Sequence, residues 1–103
     1  MLSDSKLGFN RITCDSYTVK LWHDDELIDR LKHAEECNFF DLNATNHLLA
    51  VATKIGVSVW NLKKFSLISE KNIGPTEDVR FNGESTKIIA IKKSGEVYEL
   101  YLQ

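Results

Sequence analysis

The feature that most constrains this chain is a repeat. Cys14–Trp22, Ala52–Trp60 and Lys92–Leu100 align residue for residue. Val19, Val57 and Val97 match, and so do Trp22, Trp60 and Leu100. The offsets are 38 residues (22 to 60) and 40 residues (60 to 100). They also bring Phe9–Thr13, His47–Val51 and Lys87–Ile91 into line, with Glu36–Asn43 near Glu77–Glu84. A unit recurring at such a period cannot bury its faces alone, so its neighbours must stack on it.

Each unit reads as short strands. Tyr17–Trp22 and Gly56–Trp60 alternate and are rich in β-formers. His47–Ala52 and Lys87–Ile91 are continuous apolar runs, as in strands buried on both faces. Turn-forming residues lie between the runs, at Asp15-Ser16, Asn43–Asn46, Lys54–Gly56, Gly74-Pro75, Asn82-Gly83 and Ser94-Gly95. The pattern predicts ten strands: 7–13, 17–23, 27–31, 37–42, 47–53, 56–61, 65–69, 78–82, 87–92 and 96–102. Four short strands per unit of about 40 residues predict an all-β chain of antiparallel, four-stranded propeller-type blades. A small β-sandwich is the alternative.

Residues 1–6 are then expected to be a flexible N-terminus. Residues 7–33 form an incomplete blade, 34–72 a full one and 73–103 another incomplete one. Closed propellers have typically about four to eight blades, so 103 residues predict an open, incomplete propeller. The expected blade core is Val19, Leu21, Trp22, Leu49, Val51, Val57, Val59, Trp60, Ile89, Ile91 and Val97. Unpaired edges and uncovered outer faces predict association with other protein chains or self-association.

The segments Thr18–His23 and Gly56–Asn61 make the chain resemble the WD-repeat β-propellers, over about residues 7–103. The family's Trp-Asp pair is Trp22-His23 and Trp60-Asn61 here, and its turn Asp is Ser16 and Lys54, with Asp15 one place earlier. No Gly-His pair occurs; His33 is placed for the His part in the second unit. The resemblance implies a non-catalytic protein–protein interaction scaffold, a subunit or fragment of a multiprotein complex in the nucleus or cytoplasm. The degenerate phosphoinositide-binding propellers suggest a membrane alternative. Their Phe/Leu-Arg-Arg-Gly motif is absent, and the nearest piece, Val79–Gly83, has one Arg.

Other chemistries find little support. Thirteen basic against fifteen acidic residues is too balanced for a nucleic-acid-binding domain. The N-terminal sequence lacks the apolar core of a secretory signal, and no run reaches membrane-span length. Cys14 and Cys37 therefore read as reduced core thiols of an intracellular protein, and the Asn43-Ala44-Thr45 sequon as chance. Cys14, His23, His33 and Cys37 lack the tight paired spacing of zinc ligands. Asp24-Asp25-Glu26 reads as a solvated turn. The glycines are single, so no phosphate loop forms, and no cofactor or catalytic residue is expected.

Overall fold

The computed structural model describes residues 9, 11–33, 35–43, 47–82 and 87–101. The chain is all-β. Its first sheet is β1 (Arg11–Cys14), β2 (Thr18–His23) and β3 (Glu26–Lys32). The second is β4 (Cys37–Asn43), β5 (Leu48–Thr53), β6 (Val57–Asn61) and β7 (Ser66–Lys71). The third is β8 (Thr76–Phe81), β9 (Lys87–Lys92) and β10 (Val97–Tyr101). Every pairing is antiparallel between sequence neighbours, so each sheet is a simple meander. The flexible terminus expected over 1–6, residues 7, 8 and 10 of the first expected strand, and the sequon's Ala44 and Thr45 lie outside the described residues.

The sheets repeat in detail as well as in order. A bulge follows Leu21 where β2 meets β3, and another follows Val59 where β6 meets β7. They leave Ile28 and Ile68, at matching places, without a direct partner. A second pair of bulges falls at Asn38 in β4 and Glu77 in β8. Backbone bonds between units recur too. Lys54 N–H donates to the Glu36 carbonyl at 3.0 Å, and one repeat later Lys93 N–H donates to the Pro75 carbonyl at 2.9 Å. Bulges fix twist and re-aim side chains, so the sheets share shape as well as pairing.

Two apolar layers separate the three sheets. Val19, Leu21 and Leu31 of the first sheet pack with Leu49 and Val51 of the second, together with Phe9 and Leu62. On its other face the second sheet offers Ala50, Ala52, Val57 and Val59, which pack with Val79, Ile88 and Ala90 of the third. Two-sided burial is why β5 is apolar at nearly every position. Side-chain bonds cross the second layer: Asn38 Nδ2 donates to the Thr76 carbonyl at 2.9 Å, and Phe81 N–H donates to Asp41 Oδ2 at 2.9 Å.

The third unit corrects the expected core by one residue. Trp22 pairs with Arg11 and Trp60 with Leu49, but Leu100 pairs with Ile88, not Ile89. The extra residue lies in the β9–β10 turn. The two earlier hairpins close on two-residue loops: Asp15 N–H bonds the Thr18 carbonyl, and Thr53 N–H bonds the Gly56 carbonyl. The third closes with Lys92 N–H on the Glu96 carbonyl, around three residues that include Gly95 at φ 97°. A three-residue loop of this kind uses a left-handed residue, which glycine supplies without strain. Because strand side chains alternate, the one-residue slip exchanges faces. Ile88 and Ala90 are fully buried and Ile89 and Ile91 only half so; Val97 keeps the place of Val57 but, with no further sheet against it among the described residues, is 62% exposed. Val19, Leu21, Leu49, Val51, Val57 and Val59 are buried, while Trp22 and Trp60 are half-buried.

Candidate functional site

The sheets turn matching faces in one direction. Val19 and Leu21 lead from the first sheet to the second, and Val57 and Val59 from the second to the third. Ile89, Ile91 and Val97 are the third sheet's matching residues, and nothing in the described chain covers them. Tyr101 joins this face at 68% exposure, with Lys87 Nζ 5.7 Å from its ring centre and 3.4 Å from the Glu99 carboxylate. The surface is apolar but crossed by this ion pair, since Glu99 stands between Val97 and Tyr101 on the same face of β10. Its strand β10 pairs with β9 on one side only, so a row of backbone donors and acceptors is open beside it.

The tryptophans do not form the surface. Trp22 Nε1–H donates to Thr13 Oγ1 at 2.9 Å, and the Arg11 guanidinium lies 5.0 Å from the centre of its ring system. Trp60 Nε1–H donates to His33 Nε2 at 3.0 Å, and the rings meet edge to face at 5.2 Å. His33 follows β3, so this bond ties the end of the first sheet to the second. The difference follows from sequence: Val51 of β5 stands where β1 has Thr13, so Trp60 finds no hydroxyl at that place and takes the imidazole. Asn61, after Trp60, accepts from Lys63 N–H at 2.9 Å and Lys64 N–H at 3.2 Å, which shapes the turn into β7.

His33 must be neutral at Nε2 to accept this bond. Burial, the largest influence, lowers its pKa below the ordinary histidine value; the Leu31 carbonyl, the Glu70 charge and the Tyr17 carbonyl oppose it. A depressed histidine pKa means that the unfolded chain takes up the proton first as pH falls. Its contribution to stability is therefore whole above about pH 6.5 and is lost as pH drops through and below that value. Urea unfolding should give a lower free energy at about pH 5 than at about pH 7.5. In His33→Gln the drop should be smaller, and an equal drop in both proteins would refute the assignment.

The other sequence candidates scatter. His23 lies exposed at the end of β2, with Nδ1 3.5 Å from its neighbour Asp24. Asp24 takes a left-handed φ of 55° in the β2–β3 turn, as short polar residues can. Cys14 and Cys37 do come together: both pack in the first apolar layer and line one cavity, while Cys14 Sγ–H donates to the Asp15 carbonyl at 3.3 Å and Cys37 Sγ–H to the Glu35 carbonyl at 3.9 Å. Among the described residues no three His, Cys, Asp or Glu side chains gather to hold a metal ion. Arg80, the single arginine of the phosphoinositide-like piece, is 3.4 Å from Asp78 and 5.7 Å from the Phe39 ring centre. Among the described residues no helix is long and apolar enough to cross a membrane.

The equal-offset alignment put Ile89, Ile91 and Val97 in the core; the turn after Lys92, one residue longer than its counterparts, was the signal that could have re-faced the two isoleucines, while Val97 keeps the place of Val57. No family model matches the chain, and no curated protein matches it.

Proposed function

We propose that this chain is a non-catalytic protein-interaction module whose third sheet receives a further β-sheet or strand from a protein partner. One observation carries the reading. The face that each earlier sheet uses to bind its successor is, on the third sheet, left to solvent, with Val97 62% and Tyr101 68% exposed. Exposed apolar patches mark interaction sites, and the open edge of β10 offers backbone pairing beside the patch.

The repeated bulges, the recurring inter-unit bonds and the matching places of Trp22 and Trp60 support a WD-repeat-like propeller architecture for the three sheets. The Trp60–His33 and Trp22–Thr13 bonds support it further, since the family knits its blades with Asp–His–Ser/Thr–Trp networks. On this reading the partner supplies the sheet that follows the third. In solutions of the isolated chain a second copy serves as partner, and a head-to-tail contact of this kind builds rings or open chains. Light scattering over a dilution series tests the proposal, with molar mass expected to rise above the monomer's 11.8 kDa as concentration increases.

A further inference from the structure

Cys14 ends β1 in the first sheet and Cys37 begins β4 in the second, and both side chains pack in the apolar layer where these two sheets meet. The backbone holds them there. Cys37 N–H donates to the Ser16 carbonyl at 2.6 Å, and Lys54 N–H to the neighbouring Glu36 carbonyl at 3.0 Å. Both sulfurs lie against the first apolar layer, Cys37 buried and Cys14 half-buried. They also line an open cavity of about 820 Å³ with Asp15, Glu36, Phe39 and Phe40. A small molecule can therefore reach a pair of thiols that bridges two sheets.

We propose that Cys14 and Cys37 are a reversible disulfide site that staples the first sheet to the second. A low-molecular-weight disulfide, of the oxidised glutathione type, is the oxidant. The better-exposed Cys14 thiolate attacks one of its sulfurs. The small disulfide's S–S bond breaks, and one small thiol leaves with the proton lost by Cys14. The Cys37 thiolate then attacks the Cys14 sulfur and expels the second small thiol, which takes the Cys37 proton. Two protein thiols are oxidised and one small disulfide is reduced to two thiols, so electrons and protons balance.

The same environment sets the pace. Burial raises the Cys14 pKa above the ordinary thiol value; the nearby Cys37 works against this and the Asp15 charge adds to it. Burial, followed by the charge and hydrogen bond of Cys14, pushes Cys37 up to about 12. Thiolates are scarce at neutral pH, so the pair stays reduced until oxidant persists, and the reaction quickens as pH rises. Once Cys14 carries the small thiol it bears no charge, which removes one of the influences holding Cys37 protonated.

Incubation with oxidised glutathione, an acid quench, alkylation and peptide mass mapping test the site. The expected product is a Cys14–Cys37 linked peptide from monomeric chain, with both alkylation sites lost and regained after dithiothreitol. The linked form should melt at least about 5 °C higher, since a cross-link restrains the unfolded chain. Cys37→Ser should stop at glutathione attached to Cys14. Persistent glutathionylation of Cys14 in the unmutated chain would overturn the proposal. So would links only between chains, two free thiols after prolonged oxidation, or a linked form that melts no higher.

Discussion

Gly56→Ala is expected to cost at least about 3 kcal/mol of unfolding free energy, a large share of what a small domain has. Gly56 closes the β5–β6 hairpin, where its carbonyl accepts from Thr53 N–H at 2.8 Å and its N–H donates to Thr53 Oγ1 at 3.2 Å. The chain leaving β7 passes directly over it. A methyl group at Gly56 would overlap the Lys71 carbonyl oxygen and come within 3.0 Å of Ile73 N. Neither atom belongs to a flexible side chain, so the backbone itself must retreat. That retreat breaks the 2.9 Å bond from Gly74 N–H to the Ile55 carbonyl, which leads the chain toward the third sheet. Denaturant unfolding checks this. A loss below about 1 kcal/mol would show that the crossing is not so close.

The second large effect separates two adjacent isoleucines. Ile88→Ala should lose about 3 to 4 kcal/mol, because Ile88 is fully buried between the second and third sheets and its removal leaves a cavity. Ile89→Ala should lose about 1 kcal/mol, because that side chain is only partly buried and lies outside the layer between the sheets. The uniform alignment of the sequence predicts the reverse order, with Ile89 in the core. Thermal or urea unfolding of the two variants side by side decides between the registers.

Those isoleucines also mark the limit of what the sequence made legible. The ten strands, their order and the two-sided burial of β5 could be read because alternation and turn residues are local signals. Trp22 and Trp60 could be matched because a large aromatic stands out at a fixed period. The face assignment of the third unit could not, because one extra residue in the turn after Lys92 flips every side chain of β9 relative to the equal-offset alignment. The Trp60–His33 bond was half legible. The sequence offered His33 as a partner, but only the structure places its Nε2 at 3.0 Å from the indole. The Cys14–Cys37 contact was not legible, since it joins two sheets through packing that no spacing rule encodes.

Each sheet presents the same face to the next, and the third sheet's is left to solvent, which is why the proposed reading makes it an interface. Converting that face to a charged one should remove the interaction and leave the two inner layers intact, since Val97 and Tyr101 touch neither. The Val97→Lys, Tyr101→Lys chain is therefore the partner to the unmutated chain in the decisive comparison.

The molar mass of the two proteins by light scattering, from about 1 to 100 µM, tests the central claim most directly, this being the range expected of a modest interface. The unmutated chain is predicted to grow from 11.8 kDa to dimers or larger species, while the double-lysine chain stays at the monomer mass with a comparable melting curve. An unmutated chain that remains a cooperatively melting monomer throughout would contradict the account, as would association that the two lysines leave unchanged.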